Sequence, residues 1–310
     1  MGLWNESHII IITQDNHWIH VIIDLLNLAN IYMKLNSPLP EWDFSSIFNL
    51  GLQYDWLKTC DEGFMELWYS TKGDINQKKL FLYLIHNFLY VDSNRADVFC
   101  ERIVHQITEV WGLQPRNTTI TATCDNSNPD GSQLMVQKLK NRFPFHWHEF
   151  DFSNSLPEAL YKKIHSNDNL VICDDFVGTG LTIGRKTEYA LKVIRERQLE
   201  NVHLYIVSFA AMQFSKKAIL YPFYSCEWLP KGISETLTGD NLVIATRIME
   251  EMERILNPKI GRQYLPKFGF ERSESLYNYE NDNIPNNVFP IFWWKKYKDN
   301  RFRVPMFRKI

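Results

Sequence analysis

The most informative hydrophobic pattern in the chain spans residues 170–182, LVICDDFVGTGLT. Four apolar residues (Leu170, Val171, Ile172, Cys173) run into two adjacent carboxylates (Asp174, Asp175) and then into a Gly/Thr loop at 176–180. A short continuous apolar run closed by a turn signal predicts a buried strand of the kind found in parallel sheets. The amphipathic run that follows predicts a helix over 182–197, capped by Thr179 or Thr182. Comparable units flank it. The β-branched run TTITATC, starting at Thr118, predicts a strand, as do residues 146–152, 202–210 and 221–229. Helical patterns lie between and after them at 132–141, 156–165 and 237–256. Alternation of this kind predicts an α/β fold, a parallel sheet with helices on both faces.

The pattern before Thr118 is different. Residues 42–113 read as helical, with Trp56, Phe64, Trp68, Phe81 and Phe88 at core-like intervals, and with the clearest helices at 79–91 and 95–111 around an Asp92-Ser93 cap signal. Such aromatics fit core packing better than a base-stacking platform. Further upstream, a short strand is expected at 9–13 and an amphipathic helix at 18–35; His17 and His20 share a face there, but no third ligand lies near in sequence. The last third closes with an aromatic-rich strand after Gly269, an Asn283-Ile-Pro-Asn-Asn turn and a second aromatic strand. These read as a strand pair that closes the sheet edge or covers the site. Three regions are therefore expected: a mainly helical 1–113, an α/β core over 114–294 and a tail over 295–310.

Composition narrows the class. With 310 residues and a formal net charge of −2, the chain can bury a substantial core, and no bulk charge marks an acidic partner. Only the tail, with seven basic residues interleaved with Tyr297, Phe302 and Phe307, has the makings of a local nucleic-acid contact. A packed or solvated tail is the commoner outcome. The cysteines (Cys60, Cys100, Cys124, Cys173, Cys226) are odd in number, widely spaced and without a C-x-x-C pair, as expected of reduced core residues in the cytoplasm. The start lacks a basic signal region, and the apolar stretch at 18–35 is interrupted by His20, Asp24, Asn27 and Asn30, so no membrane association is expected.

The chemistry is concentrated at 170–182. Strand, glycine loop and helix start together make a phosphate cradle, because unpaired N–H groups and the positive helix end point into the loop. Gly178, Gly180 and Gly184 have G-x-G-x-x-x-G spacing, which is not the dinucleotide fingerprint, and no lysine makes a Walker loop. Two acids directly before a phosphate loop would repel the phosphate unless they hold another part of the same ligand. A ribose diol is the natural candidate, and it points to a 5-phosphoribosyl or nucleotide ligand.

At these residues the chain resembles the type I phosphoribosyltransferases, whose signature of four apolar residues, two acids and a Gly/Thr loop is matched position by position; Leu181 stands where many members have glycine. The resemblance implies that Asp174 and Asp175 hold the ribose hydroxyls in the catalytic site. It also implies that Val177, Gly178, Thr179, Gly180, Leu181 and Thr182 hold the 5′-phosphate. It assigns a second, pyrophosphate-like subsite to the junction after Thr118, here Asp125, Asn126, Ser127, Asp130, Gly131 and Ser132. That loop carries two acids in place of the family's basic residue, so pyrophosphate there would need Mg²⁺ as a bridge. No protein ligand for a metal is assigned directly; Mg²⁺ would enter through ligand phosphate and ribose. The short spacing from Cys124 to Leu170 leaves little room for a long mobile catalytic loop. The wording of 269–294 resembles the PRTase-CE proteins of bacterial conflict systems. This implies an effector of anti-phage defence acting by N-glycosidic transfer or cleavage, with the helical region as a hood. The alternative is a catalytically silent nucleotide-binding subunit beside a retron reverse transcriptase and its RNA/DNA. Either role is compatible with an oligomer.

Overall fold

The structure is a computed structural model that describes residues 41–124, 131–147 and 152–309. The expected strand at 9–13, the helix at 18–35, His17, His20 and the loop residues Asp125, Asn126, Ser127 and Asp130 lie outside the described residues. The chain divides into two compact units, 1–59 and 60–310. In the first, the described helix is α1, Glu41–Gln53.

The second unit begins with helices α2 (Asp61–Ser70) and α3 (Ile75–His86), strand β1 (Leu89–Val91) and helix α4 (Ser93–His105). Asp74 caps α3 through the N–H groups of Asn76 and Gln77, and Asp92 caps α4 by accepting from Arg95 N at 2.7 Å. The expected helix at 79–91 therefore stops at His86. Its last three residues leave the helix because they find a partner in β9 (Tyr277–Tyr279), in parallel register Leu89↔Tyr277 to Val91↔Tyr279. An apolar run of this length satisfies both helix and strand periods, and the distant partner decides between them.

The sheet follows: β2 (Thr118–Ala122), α5 (Gly131–Lys140), β3 (Phe152–Ser153), α6 (Leu156–Glu158) running into a π turn at Ala159–Lys163, β4 (Asn169–Val177), α7 (Leu181–Glu196), β5 (His203–Met212) and β6 (Phe223–Leu229). Helix α8 (Gly239–Arg254) comes next. The five strands pair in the order β3-β2-β4-β5-β6, every neighbour parallel. Strand β4 sits at the centre and both its faces are covered. Val171 and Cys173 join Phe99, Ile103 and Met135 of α4 and α5, while Leu170 and Ile172 join Ala190 and Val193 of α7. Double coverage is why this strand reads as a continuous apolar run. The expected strand at 146–152 is much shorter than its pattern: Phe145–Trp147 is a 3-10 turn, and pairing begins only at Phe152. Four cysteines are buried, and burial pushes the Cys100 and Cys226 thiols up to about 12.

The C-terminal antiparallel pair is β7 (Lys259–Ile260) with β8 (Gln263–Tyr264). The second aromatic run does not form a strand. Pro290 starts a 3-10 turn at Pro290–Phe292, lacking the N–H that a ladder needs, and Trp293 and Trp294 are buried behind it. The tail is packed against this turn: Phe307 N donates to Phe292 O at 3.1 Å, and the Phe307 ring stacks on Phe88 at 5.1 Å. Phe302 stays exposed. No helix among the described residues is long and apolar enough to cross a membrane.

One buried acid ties α8 to the segment before β9. Glu253, 1 % exposed, accepts from Phe268 N at 2.9 and 3.2 Å, and burial pushes its carboxyl up to about 8 against an ordinary 4.5. A folded-state value above the unfolded one means that the folded protein holds the extra proton between the two. Stability therefore falls as pH rises from about 4.5 through about 8. Glu253→Gln keeps a carbonyl acceptor and removes the charge, so urea melts at pH 5, 7 and 9 should show that loss in wild type and a flatter profile in the variant. Identical slopes in both would contradict the assignment.

Candidate functional site

The site lies at the carboxyl end of β4, where sheet crevices of this type open. The strand does not stop at Cys173, where the apolar run ends; its ladder continues through Asp174↔Ser208 to Val177↔Ala211. Across the acid pair the alternation shifts by one residue. Phe176 joins the core of Val171 and Cys173, and Val177 joins the cluster of Ile183 and Ile206. Asp174 and Asp175, both half-buried, sit at that shift and line a cavity of about 650 Å³.

The Gly/Thr loop forms the next wall. Gly180, at φ +83°, is the N-cap of α7, a backbone position that a side chain would strain. No side chain occupies the cap role expected of Thr179 or Thr182, but Thr179 Oγ1 accepts from Leu181 N at 3.4 Å. Leu181, Thr182 and Ile183, the first turn of α7, line the cavity. The first-turn N–H groups and the positive end of a 16-residue helix lie at this wall.

The structure thus brings Asp174, Asp175 and all of 177–182 to one cavity, together with Gly131 of the second loop. Ser132 is fully buried and does not line it. Sequence reasoning left open if the C-terminal segment closes the sheet edge or covers the site, and it named none of the residues involved: Phe270, Asp282, Asn283, Asn286 and Asn287 face the same space. The signal was the Asn/Pro turn, which reads as a turn without revealing what it covers. Its position comes from β9. Tyr277 stacks on Phe176 with centroids 4.5 Å apart, and its hydroxyl donates to Asp175 O at 3.2 Å and reaches Asp175 Oδ2 at 3.4 Å. Burial, then the Asp175 and Asp282 charges, hold that phenol well above its ordinary value, so it stays a donor.

Two glycines allow the close approach. A Cβ on Gly178 would overlap the Asn287 side chain, whose Nδ2 donates to Ser273 Oγ at 2.8 Å, and one on Gly269, at φ +79°, would overlap the Asn287 carbonyl. Among the described residues no group of three or more His, Cys, Asp or Glu is arranged to hold a metal. The hard oxygens of the Asp174–Asp175 pair do suit Mg²⁺, which commonly takes one or two carboxylates and completes its shell with phosphate and water.

A doubly covered parallel sheet, an acid pair at the end of its central strand and a glycine loop opening a helix define a type I phosphoribosyltransferase-like α/β protein. The PRTase-CE family model matches residues 68–308, and the chain belongs to that family. No curated protein matches the chain. Similar solved structures include the hypoxanthine-guanine phosphoribosyltransferase of Leishmania tarentolae in complex with GMP, at 11 % identity and TM-score 0.32, covering 46 % of this chain and 82 % of that one. A hypoxanthine phosphoribosyltransferase from Staphylococcus aureus follows at 15 % identity and TM-score 0.31, covering 47 % and 79 %. A hypothetical protein from Neisseria gonorrhoeae with bound ppGpp matches at 9 % identity and TM-score 0.32, covering 53 % and 97 %.

The approach of Gly178 to Asn287 yields a coupling test. Gly178→Ala should cost about 1–3 kcal/mol by overpacking, and the cost should shrink when Asn287→Ala is made in the same chain. Equal costs in both backgrounds, measured by denaturant melts, would show that the two walls do not meet there.

Proposed function

We propose that the cavity takes a 5-phosphoribosyl or nucleotide ligand, and that the protein makes or breaks the N-glycosidic bond at C1. The observation that carries this reading is the convergence of Asp174, Asp175 and the 178–182 loop on one cavity, in a chain of the PRTase-CE family. Asp174 and Asp175 would accept from the two ribose hydroxyls, while the loop N–H groups and the start of α7 hold the 5′-phosphate. Held at both ends, the sugar presents C1 to the acid-lined side. A dissociative reaction there needs no covalent nucleophile. As the bond to nitrogen lengthens, positive charge grows on C1, and fixed carboxylates stabilise it without reorganising. Tyr277, donating to Asp175, keeps that carboxylate oriented. Mg²⁺, when bound, would neutralise ligand phosphate charge from the Asp174–Asp175 side.

In the cell, this reading makes the protein a cytoplasmic effector of anti-phage defence. A second reading is favoured by the short spacing from Cys124 to Leu170, which leaves little room for a long mobile catalytic loop: a nucleotide-binding subunit without turnover, associated with a retron reverse transcriptase and its nucleic acid.

Asp174→Asn with Asp175→Asn should abolish ribose 5-phosphate binding by calorimetry and any nucleotide-derived product by mass spectrometry, with the melting profile retained. Undiminished binding in that variant would overturn the proposal. Wild-type binding with no product over long incubation would favour the silent subunit.

A further inference from the structure

The segment that carries Phe270 to the cavity has an unusual backbone. Phe268, Glu271, Arg272 and Glu274 all have positive φ, from +52° to +60°, and Gly269 stands at +79°. Few non-glycine residues adopt this conformation, and for a bulky side chain such as Phe268 it is costly. Strain of this kind persists only where surrounding contacts over-determine it, and it clusters at ligand clamps and active sites.

Those contacts surround the segment. The buried Glu253 side chain accepts from Phe268 N, and Phe268 O accepts from Glu274 N at 2.8 Å. Glu274, itself buried, accepts through its carboxyl group from Ile233 N at 2.9 Å and Ser234 N at 2.7 Å. Phe270 N donates to Asn286 O at 2.8 Å, and Arg272 N donates to Gly269 O at 2.9 Å. The Arg272 guanidinium lies over the Phe268 ring at 4.2 Å.

The Phe270 ring is left out of this packing. Phe268 is 1 % exposed, whereas Phe270, two residues on, is 37 % exposed and lines the cavity. Burial of an aromatic ring is among the larger favourable terms in a fold, and here the chain forgoes it while bearing a strained backbone. Phe176, the other described ring of the lining, is already stacked on Tyr277. Asn286, whose carbonyl holds Phe270 N, lines the same space, and its carboxamide can both donate and accept. This wall meets the phosphate loop where Asn287 packs on Gly178, between the acid pair and the start of α7. It would border the sugar ring of a ribose 5-phosphate held as proposed, and the C1 substituent leaves from that ring. Stacking on an aromatic side chain suits any base, since each has a π-face.

We propose that Phe270 is a ligand-contacting residue that stacks on the base of a nucleoside 5′-monophosphate, so that the cavity prefers a nucleotide to the bare sugar phosphate. This rests on the reading above that Asp174, Asp175 and the 178–182 loop hold a 5-phosphoribosyl group. Calorimetry with ribose 5-phosphate and AMP, on wild type and on Phe270→Ala, Phe270→Leu and Phe270→Tyr, tests it. Wild type should bind AMP at least about tenfold more tightly than ribose 5-phosphate. Phe270→Ala and Phe270→Leu should bring AMP close to ribose 5-phosphate, because leucine keeps an apolar side chain but offers no π-face. Phe270→Tyr should keep the gap. Equal affinity for the two probes in wild type overturns the proposal. So does a full gap in Phe270→Leu, or a loss there that is equal for both probes, which would mark the ring as packing of the wall. If Phe270→Ala fails to fold, wild type and Phe270→Leu decide. Failure of both probes to bind wild type removes the ribose-phosphate reading, and this inference with it, a result distinct from binding without discrimination.

Discussion

Two carboxylates at the end of a strand buried on both faces set the conditions for the surrounding structure. Charged groups near a core are costly unless they are hydrogen-bonded or paired. The chain answers with parts from three places. Tyr277 donates to Asp175, the start of α5 faces Asp175 and Asp282, and the start of α7 closes the opposite wall. The half-exposure of the acid pair leaves one direction open, into the cavity. In the function we propose, a ligand with hydroxyls to donate and a phosphate to anchor would complete that arrangement.

The C-terminal third works as a fitted wall. Three independent ties hold it: the β1–β9 ladder, the buried Glu253 side chain on Phe268 N, and the packing of Asn287 between the backbones of Gly178 and Gly269. The aromatic tail continues the same construction, with Phe307 stacked on Phe88 and hydrogen-bonded through its backbone to Phe292. Aromatic residues that could serve nucleic-acid stacking are here largely spent on packing, Phe302 excepted.

Much of the core was legible because its elements are local. The continuous apolar run at 170–173, the glycine turn and the helix of 182–197 follow from burial on both strand faces and from the start of α7. Where the strand ends was not legible: Asp174 and Asp175 look like a loop because strand interiors rarely carry paired acids, yet the ladder runs on to Val177. Residues 89–91 were misread as helix because their partner, β9, lies near the other end of the chain. Asp282 and Asn287 were visible only as turn residues. Their approach to Gly131 and Gly178 is a tertiary fact, and glycine spacing alone does not distinguish a tight turn from room left for a neighbour's side chain.

The central claim is that one cavity holds both ends of a ribose 5-phosphate. A crystal structure of the protein soaked with ribose 5-phosphate tests it most directly. The account predicts phosphate density against the backbone of 178–182 and both ring hydroxyls within hydrogen-bonding reach of Asp174 and Asp175. A sugar bound in the reverse sense, with its phosphate at Gly131, would contradict it.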